Sequence, residues 1–180
     1  MKILITYYSS TGNTEKVAKS IKEGLEGKEV DLTPIENVNP SNLKAYDLVF
    51  LGSGIYASRV HKSLPDLVGS APELPPKFVF FCTHASLTSY QDGFKLVKKA
   101  LEKSNSSIVD SFDCMGDNIG IPEETRKMML NRLPPEKRQE AEEHQNRLKG
   151  RPNAVDLENA KKFAQSLIEK LSSLSINLQL

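Results

Sequence analysis

A short run of hydroxyl side chains follows the first apolar segment of the chain, KILITYY at residues 2–8. The run reads SSTGNT and consists of Ser9, Ser10, Thr11, Gly12, Asn13 and Thr14. A helical pattern comes next, with apolar residues recurring from Val17 to Leu25. A link between a buried strand and a helix directs free backbone N–H groups, and the positive end of the helix dipole, at a ligand. Because the run contains no Lys or Arg, we predict a phosphate site built from uncharged hydrogen-bond donors.

Glycine- and hydroxyl-rich segments have other interpretations. Ser and Thr are common helix N-caps, but four of them, with Gly12 and Asn13 in this order between a strand and a helix, favour the phosphate site. The nucleotide P-loop pattern, GxxxxGK followed by Ser or Thr, does not occur in the chain. Residues 52–57, GSGIYA, satisfy the dinucleotide pattern GxGxxG/A, but the helix predicted after them is short and contains Pro65. No second strand ends in an acidic residue at the required distance, so we do not predict a dinucleotide site there.

Composition restricts the class of protein. A chain of 180 residues predicts one domain with a substantial core. Its 24 basic and 23 acidic side chains give a net charge of +1, which does not indicate nucleic-acid binding. The two cysteines, Cys82 and Cys114, lack the spacing of a metal site or a disulfide framework, which fits a reducing compartment. The sequence has no 18-residue apolar span and no signal-peptide pattern, so we expect a soluble cytoplasmic protein without a membrane span.

Apolar runs alternate with helical patterns along the chain, which predicts an α/β fold with a parallel sheet. The predicted strands are residues 2–8, 29–35, 46–53, 77–83 and 107–114. The predicted helices are residues 14–26, 90–103 and 154–172. The first, third and fourth runs are almost wholly apolar, as in central strands, whereas the alternating second run near Pro34 predicts an edge strand.

A charged segment, residues 122–150, separates the fifth strand from the last helix and is called the excursion below. We predict one or two surface helices broken at Pro134–Pro135, with a lid or a partner-docking element as the alternative. Its apolar residues could pack it onto the body or onto another chain; they are Met128, Met129, Leu130 and Leu133. We expect a single domain over residues 1–172 and a C-terminal tail over residues 173–180.

The SSTGNT run resembles the phosphate loop of the flavodoxin family, T/S-x-T-G-x-T, which Ser9, Thr11, Gly12 and Thr14 match. The resemblance covers most of the chain and implies a doubly wound, five-stranded parallel sheet in the order 2-1-3-4-5, with helices on both faces and the excursion as an addition. It implies FMN as the bound cofactor, held in the crevice at the carboxyl ends of strands one and three.

The resemblance also implies that two further loops hold the flavin ring. The loop after strand three contains Ser53, Gly54, Ile55, Tyr56 and Ala57, and its Tyr56 matches the position where flavodoxins often stack an aromatic ring on the flavin. A peptide around Gly54 would turn its carbonyl toward the flavin on reduction. The loop after strand four consists of Thr83, His84, Ala85 and Ser86 and is a weaker match to the family. Tyr90, further along the chain, would be a second aromatic residue that covers the flavin ring. The alternative for both tyrosines is an ordinary core or surface role.

The function that this resemblance implies is a non-covalent FMN protein that carries one or two electrons between a reductase and an acceptor. One departure is a basic cluster, Arg59, His61 and Lys62, where flavodoxins usually carry an acidic face. Such a cluster favours an acidic partner or an anionic substrate, unless it is only a solvated helix start.

Residues 46–68 are also similar to flavodoxin-like, quinone-dependent protoporphyrinogen dehydrogenases, so an FMN-dependent oxidoreductase is the second interpretation. It ranks second because the excursion is mixed in charge. His84 is a candidate proton donor, with an ordinary loop histidine as the alternative. Cys82 and Cys114 would end neighbouring strands, either as a redox pair or as buried small hydrophobic residues.

Overall fold

The computed structural model describes residues 1–88 and 90–177, with side chains described as far as residue 173. The strands in that part of the chain are β1 Lys2–Tyr8, β2 Glu29–Pro34, β3 Leu48–Tyr56, β4 Arg59–Val60, β5 Lys77–His84 and β6 Ser107–Met115. The α-helices are α1 Asn13–Gly24, α2 Ser63–Ser70, α3 Lys95–Leu101, α4 Glu123–Asn131, α5 Pro135–Leu148 and α6 Ala154–Asn177. Two short 3-10 helices, Ile35–Asn37 and Pro40–Ala45, connect β2 to β3.

The longer strands form one parallel sheet in the order β2-β1-β3-β5-β6. Counted without the two-residue β4, this is the predicted order 2-1-3-4-5, so the predicted doubly wound sheet is confirmed. β1 and β3 are almost wholly buried, as their apolar sequences require of strands covered on both faces. β2 lies at an edge, as its alternating sequence and Pro34 predict.

Helices cover both faces of the sheet. Successive residues of a strand point to opposite faces, so Ile3 and Ile5 pack under α1 and α6, whereas Leu4 packs under α2 and α3. Burial of these two apolar layers is the main stabilising contribution to the fold. The helices also fix the loops that leave the carboxyl ends of the strands, because each loop is anchored on both sides.

The excursion forms α4 and α5, which separate at Pro134 as predicted. Met128 and Met129 of α4 are 55% and 53% exposed, so they do not pack onto the body. Leu130 and Leu133 are half-buried.

Several element boundaries differ from the prediction. The first helix ends at Gly24 rather than at residue 26. The helix predicted over residues 90–103 begins only at Lys95, because the chain before it makes tight turns and the Gly93 carbonyl accepts a hydrogen bond from the Val60 N–H instead. The last helix continues to Asn177, past the predicted start of the tail at residue 173, and residues 178–180 lie outside the described part of the chain.

β4 was not predicted. It pairs antiparallel with the end of β3, Tyr56 opposite Arg59, and only then does α2 begin, at Ser63. Pro65 is tolerated in α2 because it lies in the first turn, where an N–H has no helical partner. Among the described residues no helix has the length and apolar character needed to cross a membrane.

Candidate functional site

The loop between β1 and α1 lies at the carboxyl end of a central strand. Gly12 has a left-handed backbone (φ +86°), a conformation that costs glycine little, and α1 begins at the next residue. The Gly12 carbonyl already accepts the first helical hydrogen bond, from the Lys16 N–H. The N–H groups of Asn13 and Thr14, at the start of α1, have no helical acceptor, so they are available to an anion above the strand.

Side chains of this loop tie it to the neighbouring loops. The Thr14 and Thr83 hydroxyl oxygens lie 3.0 Å apart in a buried contact between α1 and β5. The Asn13 amide donates to the Asp117 carbonyl at 2.9 Å. The Ser10 hydroxyl lies 3.0 Å from the Tyr56 hydroxyl, which connects the loop after β1 to the end of β3. The loop is therefore held from three sides before any ligand binds.

These loops enclose a cavity of about 450 Å³, within the range typical of small-molecule sites. Its lining residues are Ser10, Thr11, Asn13, Thr14, Gly54, Ile55, Tyr56, Ala57, Thr83, His84, Ala85, Gly116, Asp117, Asn118, Gly120 and Ile121. A wider groove of about 990 Å³ lies between the end of α1 and α6, but no loop at the carboxyl ends of the strands lines it. In open α/β sheets ligands bind at those ends, so the smaller cavity is the candidate site.

Four of the predicted binding residues lie outside the lining: Ser9, Gly12, Ser53 and Ser86. Ser9 Oγ instead accepts a long hydrogen bond (3.4 Å) from the backbone N–H of Glu15 in α1. Ser53 is fully buried; its hydroxyl donates to the Gly54 carbonyl at 2.7 Å and accepts from the His61 N–H at 3.0 Å. Ser9 and Ser53 therefore shape the loops that carry the lining residues.

The turn after β3 begins beyond Gly54. Gly54 is part of β3, paired with Thr83 of β5, and its carbonyl is held by Ser53. The left-handed residues are Ala57 (φ +47°) and Ser58 (φ +64°), which form the turn between β3 and β4. The predicted reorientation of the Gly54 carbonyl would have to break the bond from Ser53.

Aromatic rings border the cavity at this turn. Tyr56 is 38% exposed, although its ring lies across Gly54, where a Cβ would come within 2.7 Å of the tyrosine hydroxyl. The His61 ring stacks on Tyr8, with centroids 3.6 Å apart and planes at 8°. His61 is thus packed inward, whereas the other two members of the basic cluster, Arg59 and Lys62, are exposed.

The loop after β5 positions His84, which is buried. Its Nδ1 lies 2.6 Å from the Ser86 carbonyl, and its Nε2 lies 3.0 Å from Asp113 Oδ2 on β6. The Tyr90 ring stacks on the imidazole at 3.7 Å. The Asp113 charge, ahead of burial, raises the pKa of Tyr90. Tyr90 therefore covers His84 and does not line the cavity as a second ring cover.

The sequence predictions missed a fourth loop, residues 116–121, after β6. The Gly116 N–H donates to the His84 carbonyl, and a Cβ on Gly116 would come within 3.1 Å of the Thr83 side chain, so a small residue is needed there. Asp117 Oδ2 accepts from the Gly150 N–H at 2.9 Å, which connects this loop to the end of the excursion. The GDNIG run at 116–120 was the available signal, since glycine, aspartate and asparagine mark loops.

A sequence profile of the flavodoxin domain matches residues 4–165, nearly the whole sheet and its helices. The protein belongs to the flavodoxin family. Members of this family are flavin-binding electron-transfer proteins, which agrees with a cavity at the carboxyl ends of β1, β3, β5 and β6.

Full-length relatives extend this comparison. An uncharacterized protein of Methanocaldococcus jannaschii is 31% identical over 174 residues, 94% of this chain and 99% of the relative. A flavodoxin of Maridesulfovibrio salexigens is 28% identical, covering 64% of this chain and 87% of its own. The flavodoxin-like domain-containing protein BilS of Clostridioides difficile is 25% identical, covering 96% and 99%. Among solved structures, Flavodoxin 2 from Bacillus cereus superimposes with a TM-score of 0.64 at 21% identity, covering 94% of this chain and 99% of that chain, and so supports the fold.

The excursion of this flavodoxin-family protein contacts the candidate site. His144 of α5 donates from Nε2 to the Ala85 carbonyl at 2.6 Å. Arg126 of α4 lies 4.0 Å from Asp117. The predicted surface helices are thus also attached to two of the loops that line the cavity.

The two cysteines cannot form a disulfide in this fold. Thr83, not Cys82, pairs with Cys114 across β5 and β6, and the two thiols lie in the apolar layers on opposite faces of the sheet. Burial raises the pKa of Cys114 to about 12 and raises that of Cys82 well above its ordinary value. The interpretation as buried small hydrophobic residues agrees with this placement. Within residues 1–88 and 90–177 no cluster of three or more His, Cys, Asp or Glu side chains is arranged to hold a metal ion.

Proposed function

We propose that this protein binds FMN without a covalent link and carries one or two electrons between a reductase and an acceptor. The observation that carries the proposal is the cavity between the loops after β1, β3, β5 and β6, with uncharged polar side chains and the start of α1 at one end. Membership of the flavodoxin family supports a flavin ligand. The uncharged hydrogen-bond donors of the loop after β1 would favour a flavin that carries a phosphate over one that does not.

The residues at the phosphate end suit a dianion. Thr11 is exposed and lines the cavity, and its hydroxyl has no partner among the described residues. Ser10, Asn13 and Thr14 add polar side chains at the first turn of α1. These groups would bind the phosphate through hydrogen bonds and the helix dipole, without a buried counter-charge.

The remaining lining residues suit a flat heterocycle. Ile55, Tyr56 and Ala57 would supply apolar contact and backbone groups from one side, and Thr83 to Ala85 would do so from the other. FMN supplies the electron-accepting chemistry, while the protein positions the ring and tunes its potential through these contacts. Because Tyr56 is both a lining residue and partly exposed, a partner protein can approach close to the cofactor.

The exposed charges suggest the kind of partner. Arg59 and Lys62 flank the turn beside Tyr56, and both are exposed. Positive charge there would steer an acidic redox protein toward the cofactor, with an association rate that falls as salt is added.

The proposal is tested by titrating the ligand-free protein with FMN, riboflavin and FAD while flavin fluorescence is measured. We expect saturable 1:1 binding of FMN and much weaker binding of riboflavin, which lacks the phosphate. The FMN complex is then reduced with dithionite and mixed with a one-electron oxidant, and its visible spectrum should return. Equal binding of FMN and riboflavin would contradict the phosphate site, and failure of all three flavins to bind would refute the function.

An FMN-dependent oxidoreductase of the protoporphyrinogen dehydrogenase kind is the second candidate. The exposed Arg59 and Lys62 favour it, since they are also suited to the carboxylates of a tetrapyrrole substrate. Oxidation of protoporphyrinogen with a quinone acceptor by the FMN-loaded protein would establish this candidate, whereas an electron carrier shows no turnover.

A further inference from the structure

His84 lies in the walls of two cavities. It lines the 450 Å³ candidate flavin site and also a second cavity of about 310 Å³ on the β6 side. The second cavity is bordered by Tyr90, Asp113 and Arg151. Asp113 is 46% exposed at its side chain, whereas the His84 side chain is 5% exposed. A proton can therefore reach the buried imidazole from water by way of the Asp113 carboxylate.

Both ring nitrogens of His84 face hydrogen-bond acceptors. The Ser86 carbonyl can only accept, so Nδ1 carries a hydrogen. Nε2 faces Asp113 Oδ2, and that contact is a hydrogen bond only when one further proton is shared between the two groups. Without that proton, a nitrogen lone pair would face a carboxylate oxygen at 3.0 Å. The His84–Asp113 pair is thus a site for one proton.

We infer that the His84–Asp113 pair takes up a proton when the flavin in the adjoining cavity is reduced. This inference rests on the proposed function. When a bound flavin gains an electron from the reductase, the pair would take one proton from water and form an N–H bond at His84 Nε2. The negative charge gained in the cavity is thereby matched by a positive charge in its wall, and the attraction is strong because the site is partly shielded from water.

The pair stores the proton rather than passing it to the flavin. Nδ1 and Nε2 are both bonded to protein groups, and the Tyr90 ring covers the imidazole on one face. The role of His84 is therefore to couple the flavin potential to pH. By linkage, the preference of the reduced state for the protonated pair raises the potential at low pH, and the gain disappears as pH rises.

Other titratable and charged groups face this pair from each neighbouring element. The thiol of Cys114 is such a group on β6, and the charged groups of Arg151 and Asp156 line the second cavity. Asp117 lies across the flavin cavity, and His144 reaches the adjacent Ala85 carbonyl from α5. Arg151 and Asp156 form an ion pair with each other, so their opposite charges partly offset each other at His84.

The test is the midpoint potential of the FMN-loaded protein measured from about pH 5 to 8, the range in which histidines change charge. His84→Gln removes the proton site and keeps a polar side chain. Asp113→Asn removes the carboxylate. Asp110→Asn makes the same change on the same strand and serves as the matched control, because among the described residues its carboxylate is bonded only to the backbone of Ser111. Nuclear magnetic resonance of the imidazole nitrogens, in the ligand-free, oxidised and reduced protein, reports the protonation of His84 directly.

We expect the plot of midpoint potential against pH to change slope at the same pH in the wild type and in Asp110→Asn. His84→Gln should lose this change of slope and should have a lower potential than the wild type at pH values below it. Asp113→Asn should move the change of slope to another pH. The imidazole should lose its second proton at a higher pH in the reduced protein than in the oxidised protein. FMN binding and reduction with no such difference, or an unchanged plot for His84→Gln, would overturn this inference alone. Failure to bind FMN would overturn the proposed function and this inference together.

Discussion

Replacing Thr11 with alanine tests the anion site most directly, because Thr11 lines the cavity and its hydroxyl has no partner among the described residues. A hydrogen bond to a charged group contributes about 1.5–3 kcal/mol, and 1.4 kcal/mol corresponds to tenfold in affinity. Thr11→Ala should therefore weaken FMN binding roughly tenfold to a hundredfold. Since an exposed side chain with no fixed contacts contributes little to folding, stability should change by less than about 0.5 kcal/mol.

The assay is fluorescence titration with two ligands and two variants. Riboflavin lacks the phosphate, so its affinity should be the same for the wild type and Thr11→Ala. Thr11→Ser keeps the hydroxyl and should restore most of the FMN affinity. An equal loss for both ligands would mean that the substitution disturbs the ring site, and an unchanged FMN affinity would refute the geometry proposed for the phosphate.

Thr14 provides a contrast within the same loop. Its hydroxyl is buried against that of Thr83, so Thr14→Val leaves a buried polar group without its partner. Such a change costs about 1–3 kcal/mol of stability, in addition to its effect on FMN. Urea unfolding of the ligand-free protein separates the two effects, because only Thr14→Val should lower the midpoint.

Three further predictions concern the core, the thiols and the basic cluster. A Cβ at Gly52 would overlap the ring of Phe81, so Gly52→Ala should destabilise the fold by about 1–3 kcal/mol in urea unfolding. Because the folded-state pKa of Cys114 is raised to about 12 and that of Cys82 is also raised, both thiols should resist alkylation at about pH 8 until denaturant is added. For the same reason the free energy of unfolding should fall as pH rises above the ordinary thiol value of 9.0. Arg59→Glu should slow stopped-flow electron transfer with an acidic redox protein roughly tenfold at low salt.

Each of these predictions has a control variant or a result that would contradict it. Gly69 in α2 has open space where a Cβ would lie, so Gly69→Ala should be neutral or stabilising by up to about 1 kcal/mol. Lys103→Glu makes the same change of charge beside Pro76 and Ser106, at the opposite, amino-terminal ends of the strands, and should leave the rate unchanged. Equal slowing by both charge reversals would indicate an effect of net charge. Rapid alkylation of the native thiols would contradict their burial.

The sheet was predictable because the apolar pattern of each long central strand is visible within that strand's own sequence. The runs at 2–8, 47–53 and 77–83 are apolar on both faces, and a strand with that pattern has to lie in the middle of a covered sheet. β4 was not predictable, since two residues carry no periodicity. The late start of α3 depends on the bond from the Val60 N–H to the Gly93 carbonyl, a contact between segments that are distant in the chain.

The candidate site was likewise predictable only where its residues are adjacent in sequence. The SSTGNT run predicted the anion end because strand, loop and helix are adjacent in sequence there. The fourth loop was missed because its contribution depends on Gly116 lying against Thr83 from the neighbouring strand. Ser53 was predicted to contact the cofactor through its backbone, and that stays a prediction; the direction of its hydroxyl, toward the Gly54 carbonyl and the His61 N–H, is determined only in the folded chain.

The bond from His144 to the Ala85 carbonyl limits how the chain can be shortened. The sheet would keep its strands if residues 122–150 were replaced by a short linker, because α4 and α5 contribute little to either apolar layer. The Ala85 carbonyl and the Asp117 carboxylate would nevertheless lose their partners in His144 and Gly150. A protein without residues 122–150 would therefore fold, but two of the loops that line its cavity would lose their hydrogen bonds to the excursion. The helices α4 and α5 thus stabilise the ligand-binding loops rather than the core.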